Sequence, residues 1–162
     1  MKNYGIVTLV IGMTLLANAS KATDLMPGSE LHPEPEDSLS QQNSTIYQTG
    51  YGNDSVIVQS GSYNSAKIVQ QGSANIASAR QLGTANEARI VQAGAKMEAS
   101  ILQKGHGHDA EIVQAGYGKE AIINQHGVYG SAEIHQLGTH RTSPITVTQF
   151  SRGQASVQVY RY

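Results

Sequence analysis

A strict eleven-residue clock limits what this chain can fold into. Glutamine recurs at Gln48, Gln59, Gln70, Gln81, Gln92, Gln103, Gln114, Gln125 and Gln136, and a glycine follows each two places on, at Gly50, Gly61, Gly72, Gly83, Gly94, Gly105, Gly116, Gly127 and Gly138. Seven places after the glutamine stands alanine from Ala66 to Ala132, with Ser55 and Ser143 at the ends. Nine places after it stands isoleucine from Ile57 to Ile145, with Ala79 the exception. The fifth place is Asn53, Asn64, Asn75 and Asn86 in the first four units and varies afterwards. The consensus is Q-x-G-x-x-N-x-A-x-I-x-Q.

An eleven-residue period can also denote a right-handed helical supercoil. Glycine excludes it, since nine interior glycines would cost a helix roughly 9 kcal/mol relative to alanine. Within each unit the recurring residues alternate with period two, which places Asn, Ala, Ile and Gln on one face of a strand. The x-Gly-x-x stretch between them supplies a turn, where glycine adopts positive φ at little cost. The expected fold is all-β: a β-solenoid of strand-turn-strand coils, 22 residues per coil, each made of two 11-residue half-repeats. Such repeats bury their inner face only against neighbouring coils.

The inner face then holds alanine, isoleucine and a ladder of glutamine and asparagine amides. Stacked amides can bond along the column, as in cross-β ladders, so the solenoid is expected to be amyloid-competent. An unpartnered buried amide would cost about 1–3 kcal/mol, which makes a regular column the tolerable way to bury glutamine. A one-residue slip would turn the inner face outward.

Outward positions carry charges of mixed sign, among them Lys67, Arg80, Glu87, Arg89, Glu98, Asp109, Glu111, Glu120 and Glu133. A solvated face that limits lateral clumping is the expected role. Val58, Val69, Val91, Leu102 and Val113 precede glutamines and are expected to form one apolar outer column.

Two segments precede the repeat. Lys2 followed by the apolar run from Gly5 to Ala17 and then small residues describes a signal peptide over residues 1–22, cleaved after Ala19 or Ala22. Residues 23–43 hold five acidic residues and three prolines, and are expected to be a disordered acidic segment. The repeat region is expected to span 44–149. Beyond it, 150–162 reads as a degenerate basic repeat: two extra residues precede Gln149, the following glycine is missing, and Arg141, Arg152 and Arg161 face no acidic residue. This tail fits either a capping repeat or a contact with a negatively charged surface.

Catalytic chemistry has no foothold in this pattern. The chain has no cysteine, which excludes a thiolate nucleophile or thiolate metal site. His106 and His108 form a His-x-His pair beside Asp109, but metal sites need three or four convergent ligands. No nucleophile elbow, phosphate loop or calcium repeat is present, so no enzyme, cofactor or metal is expected. The net charge of −1 gives no reason to expect nucleic acid as a partner.

The Q-x-G-x-x-N-x-A-x-x-x-Q repeat behind a signal peptide resembles the curlin repeat of bacterial curli fibre subunits, over residues 44 to about 149. The resemblance implies an extracellular amyloid, secreted through the outer-membrane curli channel with its accessory factors and built into the biofilm matrix. It assigns the nine recurring glutamines and Asn53, Asn64, Asn75 and Asn86 to the family's inner ladder, and the acidic segment to secretion targeting. Of the family's two kinds of subunit, the chain looks more like the minor one, which nucleates the major subunit and anchors the fibre to the cell. The fading asparagine column and the basic final unit carry that likeness. The alternative is the major, polymerising subunit. A monomeric secreted binding solenoid is the reading from another class.

Overall fold

The computed structural model describes residues 41–162. The signal-peptide span, and the acidic segment up to residue 40, lie outside the described residues.

Nine strands follow one another: β1 (Asn43–Tyr51), β2 (Asp54–Ser62), β3 (Ser65–Ser73), β4 (Ile76–Thr84), β5 (Glu87–Ala95), β6 (Glu98–His106), β7 (Asp109–Tyr117), β8 (Glu120–Gln136) and β9 (Ile145–Arg161). Among the described residues there is no helix. Each short strand has nine residues; from β3 to β7 buried positions alternate with partly or fully exposed ones, whereas the outermost β1 and β2 have no fully buried position. That alternation follows from the period-two spacing of Ala, Ile and Gln within the unit.

All pairing is parallel: β1 to β6 each pair with the next strand but one, β7 pairs with the second half of β8, and β8 pairs with β9. The register places each residue over its counterpart one coil on, as Gln48 over Gln70 and Ile46 over Ile68. β8 and β9 are long because each wraps round both sides of the coil. The result is a β-solenoid of 22-residue coils.

Two sheets face each other across a thin core. One carries β1, β3, β5, β7 and the second half of β8; the other carries β2, β4, β6 and its first half. Between them lie the alanine columns and isoleucines such as Ile68, Ile90, Ile112 and Ile134, each fully buried. A fully buried isoleucine contributes about 2–3 kcal/mol. Ala79 stands between Ile57 and Ile101 in its column, a smaller side chain in a line of larger ones.

The chain's end keeps stacking under a changed register. Ala121 pairs with Ile145 and Gln125 with Gln149, an offset of 24; past a shift at Val128/Gly130, Gln136 pairs with Arg161, an offset of 25. The two extra residues are taken up in the link 137–144. Ile145 therefore lands in the alanine column instead of the isoleucine column, which Val147 continues over Ile123. Ser143 lies in the link before the strand and not at an inner strand position. The position expected to divide repeat from tail, 149/150, falls inside β9.

Candidate functional site

The glutamines form two columns. In one, amide nitrogens donate to the next oxygen from Gln48 to Gln70 (2.7 Å), Gln70 to Gln92 (2.9 Å), Gln92 to Gln114 (3.0 Å) and Gln114 to Gln136 (2.9 Å). In the other the chain of donors runs from Gln59 through Gln81, Gln103 and Gln125 to Gln149, at 2.8 to 3.1 Å. Gln149, which the broken clock had set apart, thus closes the second column.

The same amides also cross the core. Gln92 Nε2 donates to the Ile76 carbonyl (3.0 Å), Gln81 to Ser65 (2.8 Å) and Gln114 to Glu98 (3.1 Å), each on the opposite sheet. A glutamine amide has two N–H donors. One runs along the stack and the other ties the two sheets, which is why a fully buried polar side chain is tolerated here.

The glycines do more than bend the chain. From Gly50 to Gly127 they lie inside the strands' bounds, at the start of each corner, while Gly138 lies in the link after β8; all nine have φ between 107° and 139°. A Cβ at Gly94 would land on the carbonyl oxygen of Gly116, and the same holds from Gly50 up to Gly116 against the next glycine in the stack. The second left-handed residue of the corner, two places on, tolerates side chains: Tyr63, Ala74, Ala85, Lys96 and Tyr129 all have φ of 53–57°.

The asparagines differ from the strand-face ladder expected of them. They sit in the corner immediately before each strand, and they bind mainly backbone. Asn64 Nδ2 donates to the Gly83 carbonyl (2.9 Å), and Asn75 to that of Gly94 (3.1 Å). Their oxygens accept the backbone N–H one coil on, from Asn75 to Asn53 and from Asn86 to Asn64, both at 3.1 Å. One side-chain rung exists, Asn86 to Asn64 at 3.0 Å. The strand pattern stops one residue short of them because the preceding residue is left-handed, which breaks the alternation.

After Asn86 these corners hold Met97, His108 and Lys119, all buried, and Gly130. His108 replaces the asparagine in function as well as in place. Its Nδ1 accepts the Gly130 N–H at 3.1 Å, as Asn86 Oδ1 accepts the N–H of His108. Sequence spacing alone could have singled out His108, since it stands at the asparagine position. Lys119 donates its ammonium to the His140 carbonyl (2.9 Å), and burial pushes its pKa down.

Burial also lowers the pKa of His108, against nearby carbonyls of Lys104 and Gly127 that favour the charged ring. A group with a depressed histidine pKa stays neutral in the fold while the unfolded chain titrates near 6.5. Its contribution to stability is full above pH 6.5 and falls as pH drops through that value toward the folded pKa. Asp109 beside it is raised by burial and by Glu87 and Glu133, so it titrates on the acidic side and acts in the opposite sense. Replacing His108 with Asn, the residue of the earlier corners, is expected to flatten the loss of stability between about pH 7 and pH 5. Urea denaturation midpoints across that range, wild type against H108N, check it; equal slopes would refute the role given to His108.

The outer faces correct one expectation. The apolar residues before the glutamines do not form one column, because alternate units lie on opposite sheets. Tyr47, Val69, Val91, Val113, His135 and Tyr160 line one sheet. Val58, Arg80, Leu102 and Asn124 line the other, where polar residues interrupt the column. Arg89 pairs with Glu111 at 3.1 Å on the first sheet.

The basic residues of the tail divide between the two corners. Arg141 in the link lies over Gly118, and Arg161 donates to the Ser143 carbonyl at 2.9 Å. Arg152 pairs with Val128, at the start of the opposite corner.

The histidines of the His-x-His pair point apart. His106 is exposed and bonded to Thr84 Oγ1 (2.7 Å), whereas His108 is buried in the corner. Glu111, Glu133 and His135 bring three ligand atoms within 4.8 Å of one another. Their carboxylates are already engaged, Glu111 by Arg89 and Glu133 by Tyr160 and Gln158.

Both ends of the stack expose strand edges. Among the described residues nothing pairs with the outer side of β1 or β2, and Gln48 and Gln59 offer amide oxygens with no donor. Such an edge is a template for another β chain.

Comparison with protein families places three matches on the solenoid: the Curlin associated repeat fits residues 45–72, 63–94 and 83–116. Comparisons with curated proteins and with solved structures gave no match. The chain is thus similar to that repeat family over residues 45–116, the stretch in which the 22-residue coils and the stacked amide columns begin.

Proposed function

We propose that this chain is a structural subunit of an extracellular curli-type amyloid fibre, and that it is the minor subunit, which nucleates polymerisation of the major subunit and anchors the fibre to the cell surface in adhesion and biofilm formation. The observation that carries the fibre reading is the coil itself. Among the described residues the outermost coil presents, unpaired, the strand edges of β1 and β2 and the Gln48 and Gln59 amide oxygens, the same groups through which internal coils bond to one another. Parallel in-register stacking of this kind extends from one chain to the next without new chemistry.

Support for the minor-subunit reading comes from the unequal ends. The final coil departs from the repeat and carries Arg141, Arg152 and Arg161 on and around it, a cationic end suited to an anionic outer-membrane surface. The partners in this reading are the major subunit, further copies of the chain, and the outer-membrane secretion channel with its accessory factors. The place of action is outside the cell, on the fimbrium. Neither a catalytic step nor a cofactor forms part of it. The major-subunit reading draws on the unbroken Gln/Gly clock up to Gln136.

Substoichiometric amounts of the chain are expected to abolish the lag of a major curlin subunit and to yield fibres with a meridional spacing of about 4.7 Å. An unchanged lag would remove the nucleating role. For anchoring, R141Q/R152Q/R161Q is expected to release the chain from cells into the medium; cell-bound variant would overturn it.

A further inference from the structure

We propose that the solenoid is polar in assembly: its N-terminal edge templates addition, while its last coil is closed against it. This rests on the fibre-subunit reading above. The occupant of the N-terminal edge is the C-terminal coil of another solenoid chain whose final coil keeps both Gln-x-Gly units.

The direction comes from the amides. Each column runs one way, nitrogen to oxygen, from the first coil to the last. At the N-terminal edge Gln48 and Gln59 already use their nitrogens, on Ser55 and Gln70 and on Asn43 and Gln81. What they have left are oxygens, so an incoming layer must present N–H donors. In a solenoid of this kind only a C-terminal layer does so. Two N-terminal edges would set oxygen against oxygen.

The last coil of this chain fails that requirement in three independent ways. Gln149 turns its nitrogen onto Ala155 (2.9 Å) and Ser131 (3.4 Å), and both carbonyls compete with a further layer for its two hydrogens. Arg161 occupies the layer above Gln136 and is held by the Ser143 carbonyl at 2.9 Å. Ser151 stands above Gly127 and is not among the residues with positive φ, so the left-handed glycine corner is not reproduced. The offsets of 24 and 25 also make this coil longer than the 22-residue coil that would have to pair with it. At the other end Gly50 and Gly61 keep the stacking conformation, at φ 112° and 113°.

The chain therefore extends a stack poorly with copies of itself, and well with a chain whose C-terminal coil is complete. The test uses the full-length secreted chain and follows fibre growth by thioflavin fluorescence. S151G/R161Q, which restores the corner glycine and the column glutamine of the last coil, is expected to shorten the lag of self-assembly about tenfold, and adding Q48M/Q59M is expected to reverse the gain. When labelled wild type is mixed with S151G/R161Q, amide-exchange protection is expected to rise in β1 and β2 and not in β9. If S151G/R161Q does not fold, S151G alone is used, with an expected gain of about threefold. Fibres from both proteins with equal lags, or protection rising in β9, would overturn the polarity and leave the fibre reading standing. Failure of either protein to form fibres at any concentration would overturn both.

Discussion

Gly94→Ala is expected to destabilise the solenoid by about 3 kcal/mol or more, while Gly153→Ala stays within about 0.5 kcal/mol of wild type. Both are glycine-to-alanine changes in β structure, so intrinsic propensity does not separate them. At Gly94 φ is +139°, and the added methyl would be driven into the Gly116 carbonyl one coil on. Backbone cannot yield as a flexible side chain could, and the β5–β7 register fixes the two glycines together. At Gly153 there is nothing within 4 Å of the added carbon. Gly138→Ala should fall between them, since φ remains +107° but the nearest atom, the Tyr162 carbonyl carbon, lies at 3.4 Å. Urea unfolding of the unassembled chain measures all three, and equal midpoints for G94A and G153A would refute the stacked-carbonyl account.

The second large effect lies in the amide columns. Gln92→Leu removes three hydrogen bonds: the one it accepts from Gln70 and the two it donates, to Ile76 and Gln114. It leaves a buried N–H on Gln70, a carbonyl on Ile76 and an amide oxygen on Gln114 without these partners. At about 1–3 kcal/mol per orphaned group, the expected loss is about 3 kcal/mol or more, even after crediting the apolar leucine. Gln48→Leu makes the same chemical change in the partly exposed first coil, where it orphans one buried acceptor, the Gln70 oxygen, instead of three groups, and is expected to cost about 1 kcal/mol. Denaturation midpoints that drop equally for both would mean that the columns do not act as buried, layer-coupled networks. The contrast also separates folding from assembly, because Q48L leaves the fold but takes an acceptor from the templating edge.

Much of this architecture was written in the spacing. Glutamine, alanine and isoleucine at period two within a period of eleven require a strand with one buried face. Nine glycines in register require a corner at each unit. From those two facts the 22-residue coil follows, because a strand that reverses at every corner returns to its own side only after two units. The glycines were legible as corner residues, but not as a stacked column whose backbones touch, since that contact joins residues 22 apart.

The asparagines show where spacing misled. Their place in the alternation argued for an inner strand position, and the left-handed residue before each of them put them in the corner instead. That φ is carried by Tyr63, Ala74, Ala85 and Lys96 as well as by glycine, so no residue type announced it. The apolar residues before the glutamines were likewise divided by geometry: consecutive units face opposite ways, so one run in the sequence became two columns with different composition.

By itself, then, the sequence determined the coil, its period and the identity of its inner residues, because these depend on local alternation and on a repeat that never slips between Gln48 and Gln136. Only the tertiary structure decided what happens at the chain's end. Whether Gln149 joins a column, which inner column Ile145 enters and where Arg161 lies depend on how a two-residue insertion is absorbed. That was set by pairing against β8, where the register could shift at Val128/Gly130 and still keep the hydrogen-bonded edge covered.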